Sequence, residues 1–319
     1  MSAVAVSVII PSYNAAPFLA EALQSVSEQT LADFECLIID DASTDGSVAI
    51  ARQFAAADPR FRLIIRPSNG GVSEARNLGL AEAMGRWVAV LDADDLYRPE
   101  RLEILTEIGD RTTADLVFDD QIVTEYPLQS SDHHAFKFTK REFVFSEEDF
   151  FSGSRLFRRS FPAGYMKPLM RQDYLRRVKV AFDPSVPSGE DFLYYAHLFA
   201  HSPHCVGTSY AGYVYRRRRG SLSRSDTHAG VHAELGDRVL REFGPQLSPR
   251  SRAALAGRRR DLERLVTALP ALSALRRRDW SSLARSLFNE PKAVATCLRI
   301  GRKVVIRRWA TLMAKGRRR

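Results

Sequence analysis

Residues 90–95 read VLDADD, an apolar run that ends in three carboxylates within four positions. Like charges this close raise one another's pKa unless something positive sits among them. A hard divalent cation is one neutraliser, because it prefers oxygen ligands. Mg2+ keeps several waters and shares its shell with phosphate oxygens, so one or two carboxylates at Asp92 and Asp94 would suit a ligand carrying a diphosphate. An acidic turn capping a helix at Pro99 would account for the same residues with no ligand, since carboxylates favour helix N-termini. The spacing alone leaves both readings open.

Three other groups could do chemistry. SGEDFLYY places Glu190 and Asp191 at the start of a helix predicted over 188–200, with Ser188 as its cap. The pair could act as a general base or could simply complement the helix dipole. YRRRRGSLSRS (215–225) sets Arg216 to Arg219 after a predicted strand. Guanidinium groups suit phosphate oxygens, although a solvated basic loop would look the same. His197 and His201 stand four apart, but only His204 follows with usable spacing, so they read as ordinary helix residues.

The elements that would position these groups alternate strand and helix. Apolar strands are predicted at 6–10 (stopped by Pro11), 35–40, 62–65, 86–92 and 115–120. Helices are predicted at 16–30, with Phe18, Leu19, Ala22, Leu23 and Val26 on one face, and at 45–57, 71–84 and 98–108. Continuous apolar strands between amphipathic helices indicate a parallel sheet covered on both faces, an open doubly wound α/β fold. Such sheets bind ligands at the carboxyl ends of their strands. Ser12, Tyr13 and Asn14, then Asp40 and Asp41, then Asp92 to Asp95 all gather at those ends. The stretch 121–225 is less regular, and from about 228 the chain reads as helices rich in Arg, Ala and Leu.

SVIIPSYN, LIIDDASTDGS, NGGVSEARNLGL and WVAVLDADD occur in this order and at these separations. Together they resemble the nucleotide-sugar domain of glycosyltransferase family 2, the inverting enzymes of GT-A fold. The resemblance covers residues 6 to about 225 and is most specific over 6–100. It implies a Rossmann-like open doubly wound sheet with a helical, basic C-terminal extension, divided as 1–225 and 226–319. Pro11 and Tyr13 match the loop that packs against the nucleotide base, and Asp41 matches the acid that hydrogen-bonds it, beside Asp40. Arg76 matches a position near the nucleotide. Asp92, Ala93 and Asp94 match the Asp-x-Asp motif, with Asp94 as direct ligand of Mn2+ or Mg2+ and Asp92 as a ribose or water-mediated contact. Asp95 is left as a helix cap. Asp191 matches the base and Glu190 a partner that orients the acceptor. One of Arg216 to Arg219 would lie over the diphosphate.

The net charge of +9 conceals an asymmetry. Residues 241–319 hold 21 Lys and Arg against 5 Asp and Glu, so this segment carries +16 and the rest −7. In 292–319, Val294, Leu298, Val305, Trp309 and Leu312 fall on one helical face, with Lys292, Arg299, Arg302, Lys303 and Arg307 around much of the rest. That pattern fits the surface of an anionic membrane, or a helix packed on the catalytic body with its basic face in solvent. No recognised nucleic-acid module accompanies the charge, and no nucleic acid is expected. No run reaches the length of a membrane span, the N-terminus lacks a basic leader region, and Cys36, Cys205 and Cys297 suit a reducing compartment.

The combined expectation is an inverting, metal-dependent transferase at the cytosolic membrane face. It would move a hexose-type sugar from a nucleotide-diphosphate sugar, UDP-linked, to a lipid-linked glycan in exopolysaccharide or cell-surface polysaccharide synthesis. The alternatives are a soluble transferase for a protein or small-molecule acceptor, and a nucleotide-sugar-binding module without turnover.

Overall fold

A computed structural model describes residues 4–126, 132–155, 163–217 and 229–298. Among these residues, ten strands form one sheet. They are β1 (Val6–Ser12), β2 (Phe34–Asp40), β3 (Phe61–Ile65), β4 (Trp87–Val90), β5 (Leu96–Tyr97), β6 (Leu116–Glu125), β7 (His133–His134), β8 (Glu142–Val144), β9 (Leu169–Arg171) and β10 (Cys205–Arg217). The helices are α1 (Ala16–Ser27), α2 (Ser47–Ala57), α3 (Val72–Glu82), α4 (Arg101–Thr112), α5 (Glu147–Gly153), α6 (Gln172–Val178), α7 (Glu190–Ala200), α8 (Ala229–Phe243), α9 (Pro249–Arg277) and α10 (Trp280–Asn289).

The main path of the sheet runs β3-β2-β1-β4-β9-β6-β10-β5. From β3 to β4 every pairing is parallel, as the apolar runs predict. Alternate residues of each strand feed two cores: Val8 and Ile10 pack in one with Cys36 and Ile38, while Ile9 packs in the other with Leu37 and Ile39. Both faces are therefore covered, which is why these strands carry no polar alternation.

Beyond β4 the sheet is mixed, a departure from the uniformly parallel series expected. β9 inserts between β4 and β6 and runs antiparallel to both. Its register pairs Val88 with Met170 and Trp87 with Arg171. Arg171 also lays its guanidinium 4.3 Å from the ring centre of the fully buried Trp87. Because β9 runs against β4, the residues just before β9 lie beside the residues just after β4. That topology delivers Lys167 to the acidic turn.

β1 continues through Pro11 to Ser12 rather than stopping at the proline. Leu91 N–H donates to the Ile9 carbonyl, so odd-numbered residues of β1 face β4. β4 ends at Val90, opposite Ile9, and has turned away by the level of Pro11. The proline's missing N–H therefore costs no ladder bond.

Residues 235–255 join the core of the sheet's second face: Leu235, Val239, Leu247, Ala254 and Leu255 pack in the cluster that holds Ile9 and Val88.

Candidate active site

Three strand ends and one helix start build the site. After β1, Asn14 adopts a left-handed conformation with φ 48°. Its amide N–H donates to Ser43 Oγ at 3.0 Å and its Oδ1 accepts from Thr44 N–H at 2.9 Å. The loops after β1 and β2 are thereby tied together. Tyr13 is turned outward and is 52% exposed, so it is no core residue, while Pro11 beneath it is buried.

At the end of β2, Asp40 and Asp41 are both buried. Asp41 accepts from Arg66 and from the amides of Gly70 and Gly71, the latter at 2.8 Å. Gly71 has φ +86°, the left-handed region that favours glycine, and from there α3 departs. The Ser12 Oγ and one oxygen of Asp40, paired in register across β1 and β2, are buried without a hydrogen-bond partner.

Arg76 stands on α3, which lies directly on β1: a Cβ on Gly79 would come 2.3 Å from Ile9 Cγ2. That close seat buries Arg76, 3% exposed, under the ends of the strands. Its guanidinium reaches Asp92 at 2.9 Å, Glu190 at 3.0 Å and Asp191 at 2.6 Å. Lys167 Nζ reaches Asp92 at 2.9 Å and Asp191 at 2.7 Å. Two cations thus clamp the acidic turn after β4 to the start of α7. Asp92 and Asp191, far apart in sequence, are bridged by both.

Burial alone would lower the pKa of Lys167, but Asp191 and Asp92 outweigh it and hold it well above the ordinary value. Burial would raise that of Asp92, but Lys167 and then Arg76 hold its carboxyl well below the usual range. The site is therefore charged throughout near neutral pH at these two groups.

Asp95 is not a helix cap. It is buried, accepting from Tyr213 Oη at 2.7 Å and from Arg216 N–H at 2.8 Å, so it pins β10 beneath the turn. Burial, then Asp94 and Asp92, push its pKa well up. Helix α4 begins later than expected, at Arg101, and Glu100 occupies its cap position without a side-chain bond.

Arg216 is buried and lies below the turn. Its Nε donates to the Asp94 carbonyl at 2.5 Å, and its other end pairs with Glu21. It braces the motif and does not face outward to a ligand. Arg217 lies near Glu125, and Arg218 and Arg219 fall outside the described residues. Ser188 does not cap α7 either: Gly189, at φ +86°, holds that position, and Ser188 Oγ lies 3.0 Å from His232 Nε2. His197 and His201 serve packing, against Glu242 and Phe243.

Lys167 carries no sequence signal; it is a lone lysine before Pro168 in an irregular stretch. Its backbone is fixed by Arg101, whose guanidinium holds Asp119 at 2.8 and 2.9 Å and donates to the Lys167 carbonyl at 2.6 Å.

Among the described residues no three His, Cys, Asp or Glu side chains gather as a ready-made cation site. Asp92 has both oxygens committed to Arg76 and Lys167. A cation here would rest on Asp94, which is partly exposed on the turn beside the buried Ala93. It would take the rest of its shell from water and ligand oxygens, the habit of Mg2+ and Mn2+ at phosphates. The donor set fits such an ion only in company with its ligand.

The family model described as Glycosyl transferase family 2 matches residues 7–167. The succinoglycan biosynthesis protein ExoO of Rhizobium meliloti (strain 1021) is 34% identical over 219 residues, which are 69% of this chain and 62% of that protein. The chain thus spans less than two thirds of that relative's length. Among solved structures, S. aureus TarS 1–349 in complex with UDP-GlcNAc superposes with a TM-score of 0.62 at 19% identity, over 93% of this chain and 92% of that one. The mannosyltransferase PcManGT of Pyrobaculum calidifontis, in complex with GDP-Man and Mn2+, gives 0.60 at 20% identity, over 97% and 84%. At these identities the structural likeness is one of fold.

Proposed function

Since the chain belongs to glycosyl transferase family 2, we propose that it transfers a sugar, with inversion, from a nucleotide-diphosphate sugar to a growing surface or extracellular polysaccharide. The observation that carries the reading is the clamp of Arg76 and Lys167, which brings Asp92 and Asp191 to one place from opposite ends of the catalytic region.

In the proposed reaction an acceptor hydroxyl attacks the anomeric carbon from the face opposite the leaving group. The new C–O bond forms as the bond to the diphosphate breaks, and the hydroxyl proton passes to Asp191. Each oxygen of Asp191 accepts one charged bond from Arg76 or Lys167, which fixes the carboxylate and leaves lone pairs for the incoming hydroxyl. Glu190, held by Arg76 alone of the two cations, orients the acceptor. Tyr13, Pro11 and Asp41 line the base side, where an exposed ring can stack on a pyrimidine. A divalent cation at Asp94 would supply Lewis-acid charge for the departing diphosphate. The TarS complex supports UDP as the carrier, and the ExoO likeness supports a polysaccharide acceptor.

We place the acceptor on a lipid carrier, at an anionic membrane surface reached through the C-terminal region. Residues 292–298 are helical; residues 299–319, with Val305, Trp309 and Leu312, lie outside the described residues. In the described turns Ala293 and Cys297 pack toward α9, while Val294 and Leu298 face solvent. The first members of the apolar stripe therefore point away from the protein. On α10, Trp280 and Phe288 are 66% and 85% exposed. No helix among the described residues is long and apolar enough to cross a membrane.

The test is a panel of nucleotide sugars with Mn2+, read by release of nucleoside diphosphate. Asp94→Asn is expected to lose nearly all turnover. Asp191→Asn is expected to keep donor binding while transfer falls about 10²–10⁴-fold, the usual worth of a general base. Transfer by Asp191→Asn at the wild-type rate would remove the base assignment. Binding of the donor with no turnover on any acceptor, water included, would favour a non-catalytic module. Unchanged liposome partition after deletion of 292–319 would favour an acceptor that is not membrane-bound.

A further inference from the structure

Four arginines are buried among the described residues, and three have carboxylate partners: Arg76 as above, Arg101 with Asp119, and Arg216 with Glu21. Arg258, on α9, is the exception. It is 4% exposed, its Nε has no hydrogen-bond partner, and no carboxylate among the described residues pairs with it. Burial pushes its pKa down to about 10, opposed only by Tyr165. A buried guanidinium without a counter-charge is costly, so proteins rarely keep one without a purpose.

The acid nearest in sequence is already taken. Asp261, one turn further along α9, is 2% exposed and held by both arms of Arg155 at 2.9 and 3.1 Å. Gly257 makes room for this: a Cβ there would sit 2.7 Å from the Arg155 guanidinium carbon. The local pair is thus Arg155 with Asp261, and Arg258 stands apart.

Its position is specific. The Arg258 guanidinium lies 4.0 Å from the ring centre of Phe192, the residue that follows Asp191. Tyr165, in the short 3-10 turn Ala163–Tyr165, lies within electrostatic range of Arg258 and of both Asp191 and Glu190. That turn is pressed on the start of α7, with the Cβ position of Gly164 3.1 Å from Phe192 Cβ. Arg258 is therefore packed on the first turn of α7, against the residue that follows the proposed base.

We propose that Arg258 is an oxyanion subsite for the acceptor: it binds a phosphate or carboxylate group carried by the acceptor glycan and so selects an anionic acceptor. The assignment rests on the sugar-transfer reading for which substrate supplies the anion, but the anion site itself does not. Phe192 covers the guanidinium at 4.0 Å and its Nε is left without a partner, so a planar oxyanion would be met along the edge that carries Nε.

The experiment uses the full chain with saturating UDP and Mn2+, so that the donor's own phosphate positions are occupied. Thermal melting is followed against inorganic phosphate in one arm and glucuronic acid in the other, for wild type, Arg258→Met and Arg258→Lys. Methionine keeps the contact with Phe192 and removes the charge. Wild type is expected to melt higher with at least one anion, and which one identifies the acceptor group as phosphate or carboxylate. In Arg258→Met the apparent affinity for that anion should fall at least tenfold, with melting in its absence unchanged or raised; Arg258→Lys should recover part of the affinity. An anion response equal in wild type and Arg258→Met, with the variant melting lower, would overturn the proposal and leave Arg258 a packing residue. Anion binding at Arg258 in a protein that turns over no nucleotide sugar would remove the transferase reading while the subsite stands.

Discussion

Lys167 is the side chain on which the site's charge balance turns. It is 5% exposed at the side chain, and with Arg76 it offsets Asp92, Asp191 and Glu190. Lys167→Met would leave two carboxylates facing one cation fewer. Fully buried pairs broken from one side lose about 3–5 kcal/mol; Asp92 and Asp191 keep 25% and 18% exposure, so about 2–3 kcal/mol is expected here by urea unfolding at pH 7. The pH dependence has a definite sign. Asp92 titrates lower in the folded chain than in the unfolded one, so its contribution is present above about pH 4 and is lost as pH falls. Lys167 titrates higher when folded, so its share is complete at neutral pH and is lost only as alkali deprotonates it. Urea midpoints from pH 3 to 7 should therefore drop more steeply for wild type than for Lys167→Met; parallel curves would refute the clamp. The sequence displayed Asp92, Asp94, Glu190 and Asp191 openly, because carboxylates at strand and helix ends are conspicuous by type and place. It hid Lys167 and Arg258, because a single cation becomes meaningful only through what the chain folds against it.

Helix α3 sets where Arg76 arrives, and Gly79 sets where α3 sits. Gly79→Ala would drive a methyl group into Ile9, costing about 2 kcal/mol and lifting the helix from β1. The expected signature is a lower melting temperature together with weaker donor binding, because Arg76 moves with the helix. Combining Gly79→Ala with Ile9→Ala should cost less than the two losses added, since the second opens the space the first fills. Strict additivity would show that the helix is not seated there. Strands β1 to β4 were readable as apolar runs, since the sheet is covered on both faces there and the strands pair in parallel, β4 returning to lie beside β1. β9 was not readable: three residues, Leu169–Arg171, carry no periodicity, and their antiparallel place is decided by contacts with β4 and β6. Asp95 was misread for a related reason, because its partners Tyr213 and Arg216 come from a strand more than a hundred residues away.

Across the whole molecule, the helices after residue 228 complete the core. Leu235, Val239, Leu247, Ala254 and Leu255 fill the same apolar cluster as Ile9 and Phe192, and Arg155 is locked to Asp261. A chain ending at 225 should therefore lose near-UV circular dichroism and its cooperative melt, whereas one ending at 291 should keep both. Survival of the shorter chain would mean that α8 and α9 are additions to a self-sufficient domain. The composition had announced this region only as basic; which of its residues turn inward became visible once α9 lay against α5. The burial of Trp87 and the exposure of Trp280 have an optical consequence. One indole sits dry under Arg171, and the other stands in water on α10. In a Trp309→Phe background their emissions should separate, blue for the first and red for the second. Acrylamide should quench only the red component, and vesicles rich in phosphatidylserine should shift that component alone, giving the protein a built-in reporter of contact between its C-terminal helices and lipid.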